Sequence, residues 1–461
     1  MRTLLTLCLA LLSIVATAQG QCVLYLQQCA ACHGERGRGD GPAARFLDPK
    51  PRDFRSGYFR FVSTTNGIPS DGDIWESLSA GLPGSAMLSF AHFAPMQRTM
   101  LVNTIREFRR DGLRERLSAS MTDASAIEAA VLELDTPSGG VSIPTETPDT
   151  MDARARGALT FARLCSRCHG SDGRGIIDPE RLTAEGALAR PRDLTRGVLK
   201  GGIEDVRLWQ RIRGGIPGTP MPAVSSKDLS DEGVWDLVHY VEALMPRGQQ
   251  ELHDPVRWSL GAVRIQGPLP TGPDDPALLA VQPLWVALAP FQSHERTVEG
   301  VAVRALHDDE HVVLRMEWAD ATCDVPARGG KAVAPDGIAV RLAGMSFPPV
   351  MPIAGSPLPL DRALWLAGAK PAADDPVFDA LVPRFENPDS VCKSPIGPEH
   401  VGQAQWRDGV WTAFMIVRPE RAGHIEAGGS MPISFAVFDG SVARGPLPAT
   451  FSHWQTLRFG H

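Results

Sequence analysis

Cys29-Ala30-Ala31-Cys32-His33-Gly34 and Cys165-Ser166-Arg167-Cys168-His169-Gly170 are two copies of one six-residue pattern, 136 positions apart. Reading outward from each copy, the similarity continues. Pro51-Arg52-Asp53-Phe54, Trp75 and Gly81-Leu82-Pro83-Gly84-Ser85-Ala86-Met87 follow the first. Pro191-Arg192-Asp193-Leu194, Trp209 and Gly215-Ile216-Pro217-Gly218-Thr219-Pro220-Met221 follow the second. The offset between matched residues stays between 134 and 140, so order and spacing recur together. One duplication of a roughly hundred-residue unit accounts for this; a solenoid would need three or more short repeats.

The chemistry follows from the spacing. Two cysteines three positions apart lie on one side of a helical turn. Each thiol can then bond one vinyl group of a porphyrin, and the adjacent His33 or His169 reaches the iron, the attachment pattern of c-type haem. A redox dithiol needs no following histidine, and a zinc site would need a further Cys or His pair in each unit, which the sequence lacks. Met87 lies 54 residues after His33 and Met221 lies 52 after His169, each in a Gly/Pro-rich loop. A lone methionine is usually core filler, but two at matched positions in a duplicated loop read as the second axial ligands. His92, Met96 and Met100 are rivals in the first unit; His92 breaks the repeat, and the two methionines suit a helix. His/Met ligation leaves no open coordination position and raises the potential relative to His/His. Arg52 and Arg192 are candidate haem-propionate contacts, with solvated loop charges as the equal alternative. Trp75 and Trp209 read as packing at the haem edge.

Bulk properties set the frame. A chain of 461 residues suggests about three domains. A net charge of -7 gives no reason to expect a nucleic-acid partner. Residues 1–18 read as a signal peptide: Arg2, an apolar run from Leu4 to Val15, then Ala16-Thr17-Ala18 as a cleavage site. No later run reaches 18 consecutive apolar residues, so the expectation is a periplasmic or otherwise exported chain with no transmembrane segment. Of eight cysteines, Cys8 leaves with the signal and four belong to the CxxCH pairs. Cys22, Cys323 and Cys392 remain, and an exported compartment permits a Cys323–Cys392 disulfide whose geometry sequence cannot test.

Periodicity organises the rest. Short helices are expected before each CxxC, over Val23 to Gln28 and Ala155 to Leu164, and closing helices over Pro95 to Phe108 and Asp231 to Leu244. Ala124 to Leu134 reads as a further short helix, and Thr136 to Thr150 as a Pro/Ser/Gly/Thr linker. Beyond residue 250, strand patterns dominate: Val301 to Leu306, a turn at His307 to Glu310, Val312 to Ala319 with one buried face, Gly337 to Leu342, Leu364 to Ala367, Val410 to Val417, Ile433 to Phe438 and Thr450 to Phe459. The expected fold is multidomain α + β: two small all-α domains (19–115 and 151–248, with 116–150 between them) and an antiparallel β-sandwich over 249–461.

At residues 20 to 248 the chain resembles tandem class I cytochrome c, on the strength of the CxxCH, PRDF/PRDL and Gly-x-Pro-Gly-x-x-Met motifs and the closing helix. The resemblance implies the cytochrome c fold around two haem c groups. The remainder is similar to the haem-binding gamma subunit of ethylbenzene dehydrogenase and related dimethyl sulfoxide reductase-family enzymes, at Val303 to Asp320, Asp336 to Leu342, Pro348 to Trp365, and Phe435 to Gly440 leading to Trp454. That family holds a b-type haem between a Met and a Lys and exchanges electrons with a molybdenum subunit. Here Ala354 precedes Gly355, and no Lys lies between Asp439-Gly440 and Trp454. Met351 and His453 are the remaining candidates for a haem b, against a sandwich kept for docking. The resemblances together imply an electron carrier rather than an enzyme, partnered by a redox protein such as a molybdenum oxidoreductase. A dihaem peroxidase and a redox-sensing binding module are the alternatives.

Overall fold

The computed structural model describes residues 23–246, 259–292, 298–324, 335–345, 348, 360–366, 370–372, 384–386, 401–419, 422–442 and 450–461. They fall into two compact units, one helical and one built on β-structure, divided near residue 253. The expected leader at 1–18, Met351 and Cys392 lie outside the described residues; Cys323 is exposed.

The helical unit runs α1 (residues 23–28), α2 (Ala30–His33), α3 (Asp71–Ala80), α4 (Pro95–Leu117), α5 (Ala124–Leu134), α6 (Met151–Leu164), α7 (Ser166–His169), α8 (Asp205–Gly214) and α9 (Asp231–Ala243). Side-chain caps set four of the helix starts: Ser70 closes a capping box with Asp73, Asp123 caps α5, Thr150 caps α6 and Ser230 caps α9. α4 runs nine residues past the expected Phe108. Its extension buries Leu113, and Gly112 lets the helix lie against the Arg55 backbone, where a side chain would overlap it. α6 and α9 cross at Gly157, which is seated on the Asp236 carbonyl. Phe161, Trp209, Trp235, Leu237 and Val238 fill the core behind that crossing.

The stretch between the repeats is anchored. Asp135 is buried and accepts hydrogen bonds from Arg109 Nε at 2.8 Å, Arg110 Nε at 2.8 Å and Arg106 Nη1 at 3.4 Å. Further on, Val141 N donates to Ser63 O at 2.7 Å, and His239 Nε2 bonds the Thr147 carbonyl at 2.8 Å.

In the second unit the strands are β1 (Ser259–Arg264), β2 (Leu284–Ala287), β3 (Ala289–Pro290), β4 (Gly300–His307), β5 (Val312–Ala319), β6 (Gly337–Ala343) and β7 (Leu360–Leu366). They continue as β8 (Lys370–Ala372), β9 (Arg384–Glu386), β10 (Val401–Arg407), β11 (Val410–Val417), β12 (Ser430–Phe438), β13 (Thr450–Phe451) and β14 (Gln455–Phe459). All but β8 and β9 belong to one twelve-stranded sheet, with main path β10-β11-β5-β4-β1-β14-β12-β13-β3.

This corrects the antiparallel sandwich. The sheet is mixed, because β1 lies parallel to both of its neighbours, β4 and β14. Hairpin turns impose antiparallel pairing between neighbours in sequence; β1 has no hairpin partner and inserts between strands distant in the chain. The expected one-faced β4–β5 hairpin is buried on both faces for most of its length. Leu306 and Val313 pack on the second face with Leu278 and Phe414, under Ile265, Leu269 and Val281. Trp318 and Trp411 are direct cross-strand partners, stacked at 6.1 Å.

Candidate functional site

The two CxxCH segments are built alike, bond for bond. His33 N and His169 N each donate to the carbonyl of the first cysteine at 2.9 Å, closing the turn that puts both thiols on one side. Gly39 N donates to His33 O, and Gly175 N to His169 O, both at 2.8 Å. Phe54 N reaches Gly37 O and Leu194 N reaches Gly173 O, again both at 2.8 Å. The chain after each histidine therefore doubles back so that the Pro-Arg-Asp loop lies over the imidazole.

That loop fixes the ring. His33 Nδ1 donates to the Arg52 carbonyl at 2.9 Å, and His169 Nδ1 stands in the same relation to the Arg192 carbonyl at 3.3 Å. With Nδ1 carrying the proton, Nε2 keeps its lone pair, and neither Nε2 has a hydrogen-bond partner among the described residues. Phe54 stacks on His33 at 4.5 Å and 16°. Burial pushes His33 down to about 4 and lowers His169 as well, which keeps both rings neutral at neutral pH, the state that binds metal. Burial also pushes Cys29 and Cys32 up to about 12 and Cys165 to about 11, the reverse of the thiolate character a redox dithiol needs. Among the described residues neither motif belongs to a group of three or more His, Cys, Asp or Glu side chains able to hold a metal, so a zinc reading gains no support.

The methionine loops repeat with equal fidelity. Gly81 and Gly215 both take φ 68° as they end α3 and α8. A side chain at either would press on the chain just past the methionine. Leu82 N donates to Met87 O at 2.8 Å and Ile216 N to Met221 O at 3.1 Å. Ser85 Oγ closes the first loop on Leu82 O at 2.6 Å, and Thr219 Oγ1 closes the second on Ile216 O at 2.7 Å. Both methionines are half-buried. Of the rivals, Met96 and Met100 lie on α4, with Met96 exposed, and His92 packs against Phe90 and Phe93. The residues present fit a c-type haem in both repeats: two thiols on one turn, a neutral imidazole nitrogen left open, and a thioether in a tight loop.

The arginines act across the repeats, which sequence reading missed. Arg52 pairs with Glu185 of the second repeat, and Arg60 joins the same carboxylate at 3.4 Å. Burial is the largest single influence on the Glu185 carboxyl and pushes it up, but Arg52, the Thr183 hydroxyl and a backbone hydrogen bond together outweigh it, and the group ends below its ordinary value. Arg192 Nε donates to Val198 O at 2.8 Å, and its guanidinium lies so close to Gly84, in the first methionine loop, that a side chain there would overlap it. Gly218, in the second methionine loop, lies against Tyr58 of the first repeat. A further pair joins Arg207 to Glu76. Trp75 stacks under the Arg98 guanidinium at 4.5 Å, and the buried Trp209 lies 5.3 Å from that of Arg213.

In the second unit His453 is buried between β13 and β14, with Nδ1 on the Trp454 carbonyl at 3.2 Å. Trp454 lies under the Arg341 guanidinium at 4.8 Å. Its proposed companion Met351 is outside the described residues, so no b-type haem pair can be built from them.

Residues 152–241 match the family described as cytochrome c oxidase, cbb3-type, subunit III. Thiosulfate dehydrogenase from Allochromatium vinosum is 29% identical over 102 residues, which is 22% of this chain and 35% of that enzyme. The chain thus spans about a third of the length of that curated relative. A chain of the reducing HAO-like protein complex of Kuenenia stuttgartiensis shares 31% identity, with TM-score 0.43 over 49% of this chain and 96% of its own. A family 9 carbohydrate binding module from Caldicellulosiruptor kristjanssonii in complex with cellotriose has 8% identity and TM-score 0.29, over 44% and 93%. At TM-scores below 0.5 neither structural likeness assigns a fold or a function. Among the described residues no helix is long and apolar enough to cross a membrane. The protein is a multidomain α + β chain, and residues 152–241, with Cys165, Cys168 and His169 at their centre, form a cytochrome c domain, the kind that carries c-type haem.

Proposed function

We propose that the chain is an exported dihaem c-type cytochrome that carries electrons, with haems bound at Cys29, Cys32, His33 and Met87 and at Cys165, Cys168, His169 and Met221. One observation carries the reading: the hydrogen bonds that orient His169 and shape the Met221 loop recur at His33 and Met87. A first repeat that had lost its cofactor would have no reason to keep them.

Bound haem supplies a one-electron couple, and the polypeptide's part is to hold it and tune it. The Arg52 and Arg192 carbonyls fix the imidazole tautomer and strengthen the nitrogen facing the iron. The thioethers of Met87 and Met221 would hold the iron together with the histidines, favouring the reduced state and leaving no site for oxygen or peroxide. Electron transfer rather than catalysis follows. Both methionine loops meet the opposite repeat, so haems held at the two sites would lie within one unit and could exchange electrons there. The second unit docks a redox partner; its resemblance to the gamma subunit of molybdenum enzymes makes such an oxidoreductase the partner of choice.

A pyridine haemochrome assay on protein matured in a c-type cytochrome-competent exporting host tests this. Two covalent haems per chain are expected, both low-spin and inert to carbon monoxide. A single haem, or rapid carbon monoxide binding at one site, overturns the dihaem carrier.

A further inference from the structure

We propose that the β-unit holds one hard divalent cation of the Ca2+ class between Asp320, Asp336 and Asp439. The three sit where strands end. Asp320 follows β5, Asp336 precedes β6 and Asp439 follows β12. β6 and β12 are paired with Gly337 opposite Phe438, which puts Asp336 and Asp439 side by side. β5 lies several strands away along the sheet path. The sheet curls far enough for the two arms to meet: Trp411 Nε1, on the strand beside β5, donates to Asp336 Oδ2 at 3.1 Å. One carboxylate oxygen from each aspartate lies within 4.8 Å of the other two.

All three side chains are buried, at 6%, 0% and 6% exposure. Three carboxylates gathered out of water repel one another and lose hydration, a cost several kcal/mol deep unless a positive charge answers it. Among the described residues none of the three forms an ion pair. Neighbouring groups satisfy only part of the site. Asp336 accepts from Gly440 N and Asp324 N, Asp320 Oδ1 from Thr322 N, and Asp439 Oδ1 from Ser441. Asp320 Oδ2 is fully buried with no partner among the described residues, and Asp439 Oδ2 has no hydrogen bond there either. A buried carboxylate oxygen without a donor, in the company of two more acids, is an open ligand position.

The donor set selects the ion. Only oxygens are present, which excludes the softer metals that choose imidazole or thiolate. An ion with ligands at about 2.3–2.6 Å spans oxygens up to about 5 Å apart, whereas Mg2+ demands a tighter octahedron. The cation would clip the β5–β11 arm to the β6–β12 arm.

Full-length holoprotein, stripped with EDTA and passed over chelating resin, is titrated with CaCl2. Metal content is read by mass spectrometry and unfolding of the β-unit by calorimetry. One Ca2+ per chain is expected, with a Tm rise of about 5–10 °C at a hundredfold excess over Kd, and a smaller rise with MgCl2. Asp320→Asn and Asp439→Asn should each lose the bound ion and the Ca2+ response while keeping haem content. Stripped wild type that takes up no Ca2+ and does not shift overturns the site, as does a full Ca2+ response in both variants.

Discussion

The His33 imidazole Nδ1 donates to the Arg52 carbonyl at 2.9 Å, while the Arg52 guanidinium disfavours the protonated ring and pairs with Glu185 of the other repeat. The residue that orients one proposed axial ligand is thus also a residue that ties the two repeats together. His169 and Arg192 stand in the same backbone relation at 3.3 Å, with the Arg192 side chain against Gly84. Each ring is held by a loop whose arginine reaches across the unit.

Replacing His33 or His169 with Ala should remove one axial ligand and leave the thioether attachment intact. The expected result is unchanged haem content with half of the low-spin signal converted to high-spin, read by electron paramagnetic resonance. If both variants keep a full low-spin signal, other residues are the ligands.

Glu185→Gln removes the partner shared by Arg52 and Arg60. Both arginines remain partly in contact with water, so the loss should be small, about 1 kcal/mol or less by urea unfolding. A much larger loss would mean that the interface between repeats depends on that one carboxylate.

Asp135→Ala should cost far more, about 3–5 kcal/mol. Asp135, Arg106 and Arg109 are all buried, and the substitution strands the Arg109 guanidinium away from water with its charge unanswered, while Arg106 keeps only its pair with the exposed Asp71 at 2.6 Å. Denaturant unfolding that left the midpoint unchanged would show that Asp71 and the Pro69, Gly57 and Leu134 carbonyls, which also accept from these arginines, suffice.

The proposed haem sites could be read from the sequence because their determinants are local or duplicated. Cys165 to His169 is one turn of chain, and Met221 is found by matching it to Met87. α5 and α9 were legible through periodicity, and α5 ends where its apolar pattern ends. What stayed hidden depends on chain segments that meet only after folding. Nothing near Ser259 announces that β1 will lie parallel to β4 and β14. Nothing near Asp320 announces Asp336 and Asp439, because each is an ordinary polar residue at the end of its own strand. Glu185 reads as a solvated loop charge until Arg52 arrives from the other repeat. The linker reading of 136–150 rested on composition, and composition does not show that Val141 and Thr147 are held by Ser63 and His239.

Gly157→Ala probes the α6–α9 crossing. An added methyl would overlap the Asp236 carbonyl and touch the Tyr240 side chain, so the helices must separate. Overpacking of this kind costs about 1–3 kcal/mol. The second repeat should lose thermal stability accordingly, with Phe161 and Trp235 loosening behind the crossing; fluorescence of that tryptophan and calorimetry of the holoprotein check it. Gly139→Ala, where an added methyl meets nothing, should leave stability unchanged.

Near the end of α9, Glu242 gives the helical unit a pH dependence of predictable sign. It is half-buried, and burial is the main reason its carboxyl rises to about 8; Asp205, Glu146 and Asp149 add to the rise. Arg154 answers Asp149 and also attracts the Glu242 carboxylate, which opposes the rise without reversing it, and His239 acts on Glu146 and Asp149. A carboxyl whose folded value lies above its ordinary 4.5 binds its proton more tightly folded than unfolded. Its stabilising contribution is therefore complete below about pH 4.5 and is lost as pH rises through 8. Exposure of half the side chain screens the effect, which leaves about 1–2 kcal/mol. Urea midpoints at pH 5, 7 and 9 should fall for the wild type, and Glu242→Gln should flatten that part of the slope. A Glu242→Gln profile parallel to that of the wild type would show that this carboxyl is ionised throughout and that the acidic cluster is open to water.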